Sequence, residues 1–237
     1  ITCRDWSSDV CSSDLYFIWG PANQIYFPEP QNQAGEQVNV PLPALVLNAE
    51  TLPKLSLQRG QAEQVRRGIY TLTDYRRVLI LTQPAANACV RVIDGNSPEF
   101  SQNDRLEIRL VASASRLDGI LIDAAKPQPP AAYFGPEPPH DWCYYYQKAA
   151  LARQTEDWEK VVRLGEQALA EDHYPSDKIE WLPFMQAHAA LGQREKLRRF
   201  VSIMAESPYI QSQACVILSA SATDPATLTY IKDSFCK

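Results

Sequence analysis

Hydrophobic residues recur at helical spacing throughout the second half of the chain, whereas the first half has short apolar runs that end at prolines and other turn residues. After residue 140 the helical spacing extends over six successive stretches. These are WCYYYQKAALARQ, DWEKVVRLGEQALAED, KIEWLPFMQAHAALG, QREKLRRFVSIMAE, YIQSQACVILSASA and PATLTYIKDSFC. Gly192 ends the third stretch as a C-terminal glycine, and Asp224 precedes the last as an N-cap. The pattern predicts an all-α array of three helical hairpins over residues 140–237.

Four short runs in the first half are rich in β-branched and aromatic residues, and they predict strands. They are Gln24–Phe27, Gly68–Leu72, Arg76–Gln83 and Cys89–Asp94. Within the third run, the sequence VLIL has no alternation of apolar and polar residues. That pattern indicates a central strand that is covered on both faces.

Two helical segments accompany these strands. Gly60–Arg67 favours a helical turn, and the segment after Asp104 places Leu106, Leu110 and Leu117 at helical spacing, with Asp104 as the cap. The first half therefore predicts a small α/β domain over residues 16–125, and the fold class of the whole chain is α+β. Residues 126–139 contain six prolines and predict an extended connector between the two parts.

The first two hairpins resemble the tetratricopeptide (TPR) repeat. The residues that match its aromatic, small and glycine positions are Tyr145, Ala149, Trp158, Val161, Ala168, Trp181, Gly192 and Leu197. Lys148, Glu156 and Arg194 depart from the repeat, because they stand where leucine, glycine and an aromatic residue are usual. The third hairpin matches in length only. The resemblance implies a TPR-like helical groove that binds a protein or a peptide.

The N-terminal tract DWSSDVCSSDL, Asp5–Leu15, has no helical or strand period. It resembles the conceptual translation of a sequencing adapter. The resemblance implies that residues 1–15 are a disordered artefact, that the natural sequence enters near Tyr16, and that its own N-terminal part is missing.

A wider resemblance covers residues 16–237. The stretches QIYF, FGPEPPHDWCYYYQKAALARQTEDWEKVVRLGEQA and EWLPF look like the C-terminal soluble tail of uncharacterised bacterial multi-spanning membrane proteins. Those proteins have an N-terminal body reminiscent of glycosyltransferases that act on lipid-linked sugars. The resemblance implies a membrane-associated parent protein, on an unknown side of the membrane, and it supplies no catalytic residue within this chain.

The charge balance gives no indication of a nucleic-acid partner. The formal net charge is −5, and it becomes −3 without residues 1–15, which hold Arg4 and three aspartates. The sequence also lacks phosphate-binding, nucleophile-elbow and zinc-protease motifs, so we predict no cofactor and no catalytic residue in this fragment.

Candidate binding residues lie on the predicted helices. Tyr144 and Tyr146 could line a ligand groove, although core packing is expected for at least one of them, and His188 is a core or groove residue. Arg194 and Arg198 belong to a basic helix face that either binds anionic groups or is solvated, and we favour solvation.

His140 and Cys143 are three residues apart, and one interpretation is that they form half of a metal site. No third ligand lies nearby, so capping or packing of His140 is favoured. Beyond residue 15 the cysteines are Cys89, Cys143, Cys215 and Cys236, without a C-x-x-C pair. Either buried free thiols or, on the oxidising side of a membrane, disulfides are consistent with this pattern.

Two classes of function remain open on the sequence. One is a non-catalytic module that binds a protein or a peptide. The alternative, which rests on the wider resemblance, is an accessory domain that binds the acceptor for a membrane glycosyltransferase.

Overall fold

The computed structural model describes residues 23, 38–39, 44–66, 69–120 and 131–237. In these residues a small β region is followed by an all-α array, so the predicted α+β fold class is confirmed. The predictions for residues 1–15 and for Gln24–Phe27 lie outside the described residues, as does most of the connector.

In the part of the chain that the structure describes, the β region contains two sheets. The first has the order β1-β3-β2, with β1 parallel and β2 antiparallel to β3. Its strands are β1 (Val38–Asn39), β2 (Gln61–Arg66) and β3 (Ile69–Asp74). The second sheet has two strands, β4 (Leu81–Thr82) and β5 (Arg91–Val92). Three of the four predicted strand segments thus overlap in part with observed strands.

The predicted helical turn at Gly60–Arg67 is wrong, because β2 occupies this segment. Gln61 pairs with Asp74 and Arg66 pairs with Ile69, so the polar segment is an edge strand. An edge strand is hydrogen-bonded along one edge only, and the polar sequence of this one lacks the alternation of apolar and polar residues that predicts a strand.

The predicted central strand at VLIL is also wrong. Ile80 is buried, whereas Leu79 and Leu81 are 44% and 38% exposed, so one face of this run is open. The regular strand itself is only two residues long.

Within residues 44–66, 69–120 and 131–138, three short helices accompany the sheets: α1 (Thr51–Ser56), α2 (Leu106–Val111), which continues into a 3-10 turn, and α3 (Ala131–Phe134). The predicted apolar face of α2 is wrong, since Leu106 and Leu110 are 66% and 57% exposed. Ile108 and Val111 are the buried residues of α2. Asp104 does not cap α2 either.

The helical array contains seven α-helices and one 3-10 helix within residues 139–237. In chain order they are α4 (Trp142–Arg153), α5 (Trp158–Ala170), the 3-10 helix Lys178–Trp181, α6 (Leu182–Ala190), α7 (Arg194–Arg198), α8 (Phe200–Ala205), α9 (Pro208–Ser221) and α10 (Pro225–Phe235). The predicted cap is confirmed, because the Asp224 carboxylate accepts a hydrogen bond from the Thr227 amide at 2.9 Å.

The turns of the first two hairpins have the same backbone conformation, 36 residues apart. Glu156 and Gly192 both adopt a left-handed conformation, with φ of 55° and 66°. In each turn the carbonyl of this residue accepts from the amide two positions later, that of Trp158 or of Arg194. The turn geometry therefore repeats, although glycine occupies the position only once.

The core of the array follows the predicted pattern of small and aromatic residues. Ala149, Val161, Ala168 and Leu197 are fully buried, and Tyr145 and Trp181 are less than a tenth exposed. Trp181 lies 4.9 Å from Trp142 and 5.2 Å from Phe200, measured between ring centroids. The predicted packing of small residues against aromatic rings is confirmed.

The chain divides into two compact units, which are described separately. The first contains the residues up to Ala86 together with Val92–Pro98 and Arg105–Pro138. The second, here called the helical unit, contains Asn87–Arg91, Glu99–Asp104 and Pro139–Lys237. The helical unit therefore includes two short segments that precede its helices in the sequence by many residues.

Candidate binding surface

The first helices of the three hairpins form a row. α4 contacts α6, and α6 contacts α9, while the second helices α5 and α8 pack against α6 and α9. The first helices consequently share one continuous surface, which starts at α4, passes the 3-10 helix and α6, and ends at α9.

The two short segments of the helical unit, Asn87–Arg91 and Glu99–Asp104, contact this row, and we call them the strap. On α4 the strap is joined by the Cys89–Cys143 disulfide and by a hydrogen bond from Gln147 Nε2 to the Val90 carbonyl at 3.4 Å. Further contacts reach the 3-10 helix and α9. The strap thus spans first-helix positions of all three hairpins.

Gln213 on α9 binds the main chain of the strap with both ends of its amide. Its Oε1 accepts from the Phe100 amide at 2.8 Å, and its Nε2 donates to the Phe100 carbonyl at 2.9 Å. One side chain therefore satisfies both backbone polar groups of a residue that is 113 positions away in sequence. Such a contact recognises the polar groups of the backbone, which every residue except proline supplies in full.

Other contacts involve the side chains of the strap. Arg153 on α4 forms an ion pair with Glu99. The Ser101 hydroxyl donates to the Asp177 carboxylate just before the 3-10 helix. Gln102 Nε2 donates to Ser207 Oγ, at the start of α9, at 2.7 Å. Each hairpin thus contributes at least one polar side chain to the binding of Glu99–Gln102.

A buried ion pair connects the two pieces of the strap to each other. The side chains of Arg91 and Asp104 are 3% and 0% exposed and form this pair. Asp104 also accepts from the Ser101 amide at 2.7 Å, and Arg91 Nη1 donates to the Glu99 carbonyl at 3.3 Å. Since a buried charge is stable only with such partners, this network fixes the internal shape of the strap.

Glu180 lies completely buried beside the strap, where its Oε1 accepts from the Cys89 amide at 2.7 Å. Burial raises the pKa of the Glu180 carboxyl, and the hydrogen bond from the Cys89 amide opposes this effect. The charge of Asp177 raises this pKa further and the charge of Arg91 lowers it, so burial is the main reason that the charged form is disfavoured relative to an exposed glutamate.

Of the five predicted site residues, Tyr144, Tyr146 and His188 lie on first helices, and Tyr146 lies close to Arg91 and Glu99 of the strap. Tyr146 is buried, and desolvation strongly raises the pKa of its phenol, with Arg91 acting in the opposite direction. Tyr144 is half-buried and stacks on His140 with a centroid distance of 3.5 Å. The favoured packing role of His140 is therefore confirmed, and its neighbour Cys143 is part of a disulfide.

Three of the predicted site residues, His188, Arg194 and Arg198, lie on or near the turn between α6 and α7. His188 is buried, and its Nδ1 lies 2.7 Å from Gln193 Oε1. Burial lowers the pKa of the His188 imidazole, opposed by the bond to Gln193. Arg194 and Arg198 are exposed, as expected for a solvated face. Arg194 lines a surface depression of about 410 Å³ together with residues 192–196.

The residues that bind the strap were not singled out by the sequence. Gln213 is one of several polar residues of α9, which also contains Gln211 and Ser212, so the sequence gives no local signal for it. Asp177 and Ser207 also cap helices, which is a sufficient local role for both. Their contacts with the strap depend on the folding of distant segments.

The four cysteines beyond residue 15 form two disulfides, Cys89–Cys143 and Cys215–Cys236. Of the two alternatives that the sequence left open, the structure has the paired state. The first disulfide joins the strap to α4, and the second joins α9 to the end of α10.

Comparison with known proteins gives no relative: no protein-family model, no curated protein and no solved structure matches the chain. Across the described ranges, no helix is both long enough and apolar enough to cross a membrane. In the same part of the chain, no group of three His, Cys, Asp or Glu residues is placed to hold a metal ion.

Proposed function

We propose that this chain is a non-catalytic interaction module of a membrane-associated bacterial protein, and that its helical unit binds an extended segment of a partner protein along the first helices of its hairpins. The observation that carries the proposal is the binding of the strap by these helices. The hairpins are TPR-like in their repeated turns and in their small-residue and aromatic core, and such arrays bind ligands along extended surfaces that several repeats share.

The character of the strap contacts supports a peptide ligand. Gln213 binds main-chain groups, while Arg153 and Asp177 bind side chains. This combination of backbone and side-chain contacts is how protein surfaces bind extended peptides. In the isolated chain the strap occupies the surface, so a partner has to displace it. The membrane attachment of the parent protein is supported by the wider sequence resemblance.

Binding of a peptide in trans tests the proposal. The probe is a fluorescein-labelled peptide with the sequence of residues 97–105, SPEFSQNDR, titrated into the full chain and followed by fluorescence anisotropy. In a chain with Glu99→Ala and Ser101→Ala the strap loses two contacts, so the peptide should bind about tenfold more tightly than to the unaltered chain.

The matched controls are two glutamine substitutions in the same background. Gln213→Leu removes the backbone contact and should abolish saturable binding, whereas Gln167→Leu, at an exposed position of α5, should leave it unchanged. Absence of saturable binding to the Glu99→Ala/Ser101→Ala chain would contradict the proposed function.

A further inference from the structure

We infer that the partner segment carries the pattern acidic residue, residue with a backbone N–H, small hydroxyl residue, glutamine, because the strap residues Glu99–Gln102 occupy the surface as its resident ligand. This inference rests on the proposed function and specifies the chemistry of the partner. Each position of the pattern follows from one contact.

The first position requires a negative charge. Arg153 pairs with Glu99, and the two side chains are 23% and 13% exposed, so water screens the pair only in part. A lysine at this position would bring two cations together. Their electrostatic repulsion would be stronger in this partly buried site than in water.

The second position requires an amide N–H. Gln213 binds the amide and the carbonyl of Phe100, whose own side chain is half-buried. Proline has no N–H, so a proline here would leave Gln213 Oε1 without its donor. Alanine would keep both hydrogen bonds.

The third position requires a small side chain with a hydroxyl group. Ser101 is fully buried and donates to the Asp177 carboxylate. An alanine would fit the space but would remove this donor from a charged acceptor, and hydrogen bonds to charged groups are among the stronger ones.

The fourth position has the weakest requirement. Gln102 is exposed, and its Nε2 donates to Ser207 Oγ at 2.7 Å. Residues beyond it do not belong to the pattern, since Asp104 pairs with Arg91 inside the strap itself.

A peptide panel tests the pattern on the full chain carrying Glu99→Ala and Ser101→Ala. The parent peptide is SPEFSQNDR, and the variants are named by the corresponding chain residues. Glu99→Lys, Phe100→Pro and Ser101→Ala peptides should each bind at least about tenfold more weakly than the parent.

A charge exchange gives a second, independent readout. Arg153→Glu in the same chain should reverse the preference, so that the Glu99→Lys peptide binds more tightly than the parent peptide. Circular dichroism verifies that the altered chain is folded. The peptide panel uses the chain that keeps Arg153, so its result does not depend on this variant.

The outcomes separate the inference from the proposed function. Equal binding of the parent and the Glu99→Lys, Phe100→Pro and Ser101→Ala peptides would overturn the pattern while leaving peptide binding itself intact. No binding of the parent peptide or of any variant would overturn the proposed function, and the pattern with it.

Discussion

Glu180 shows at the scale of one residue how the fold changes an ordinary carboxyl group. The side chain is fully buried, and its partner is the Cys89 amide at 2.7 Å. Because burial raises the pKa of Glu180 in the folded state, the folded protein keeps a proton that the unfolded chain loses near pH 4.5. The contribution of this group to stability is therefore complete below that pH and decreases as pH rises through the higher folded pKa.

Glu180→Gln should remove this pH dependence. Glutamine keeps an acceptor for the Cys89 amide but does not ionise. The free energy of unfolding of the wild type should therefore fall relative to that of the variant as pH rises above 4.5. The slope for one proton is at most about 1.4 kcal/mol per pH unit. Urea unfolding of both proteins between pH 4.5 and 8 measures it, and parallel stability curves would contradict the assignment.

Glu156 occupies a backbone conformation that suits glycine. Its φ is 55°, and its side chain is exposed in the turn before α5. A residue with a Cβ loses about 1 kcal/mol or more in this conformation. Gly192, at the equivalent place in the second hairpin, has no such cost.

Glu156→Gly should therefore stabilise the protein by about 0.5–1 kcal/mol, since relief of the left-handed strain exceeds the added freedom of the unfolded chain. The control is Arg163→Gly, at an exposed interior position of α5, which should destabilise by about 1 kcal/mol. Both follow from thermal unfolding. A loss of stability in Glu156→Gly would show that the side chain has a role that outweighs its backbone strain.

At the scale of elements, the α5–α6 interface depends on a close approach at Gly165. A Cβ atom at this position would lie 2.6 Å from Cδ1 of Phe184. The Phe184 ring is 1% exposed and lies 5.3 Å from the Trp142 ring, so it has little room to move.

Gly165→Ala should destabilise the protein by about 1–2 kcal/mol. The gain in helix propensity is about 1 kcal/mol, whereas overpacking of a dense core costs about 1–3 kcal/mol. Gln167→Ala, exposed on the same helix, should change stability by less than about 0.5 kcal/mol. Adding Phe184→Leu to Gly165→Ala should restore part of the loss, and an alanine variant more stable than wild type would rule out the close approach.

The elements that the sequence predicted correctly are those that local signals determine. The helices α4, α5 and α10 follow from their apolar spacing, and Asp224 caps the last of them. The strand β2 was missed because a polar edge strand has no distinctive pattern, and α2 was given the wrong apolar face because its six residues permit either one.

The candidate site was not predictable in the same way. Aromatic residues favour interfaces, so the sequence predicts the tyrosines of α4 as candidates, but the strap contacts join residues far apart in sequence. Phe100 and Gln213 are separated by 113 positions, and Cys89 and Glu180 by 91. No local pattern indicates that an irregular segment before a proline-rich stretch completes a helical unit.

At the scale of the whole molecule, the two disulfides should contribute unequally to stability. Cys89–Cys143 spans 54 residues and Cys215–Cys236 spans 21. The loss of chain entropy on loop closure gives about 4 and about 3 kcal/mol, respectively. Full stability is therefore expected only in an environment that oxidises thiols.

Paired serine variants measure the difference. Cys89→Ser/Cys143→Ser should destabilise the chain more than Cys215→Ser/Cys236→Ser in urea unfolding. Tryptic mapping without reduction should recover the Cys89 peptide linked to the Cys143 peptide. Alkylation of Cys89 before reduction, in chain purified from an oxidising compartment, would contradict the pairing.

The strap also determines how the helical unit gains and loses its structure. In ordinary repeat arrays each repeat contacts only its neighbours, so the ends can fray while the middle stays folded. Here the second segment of the strap, Glu99–Asp104, is bound to the first, second and third hairpins at once. We therefore expect the hairpins to melt in a single cooperative transition, and to fold more slowly than a purely local array because distant parts of the chain have to meet first.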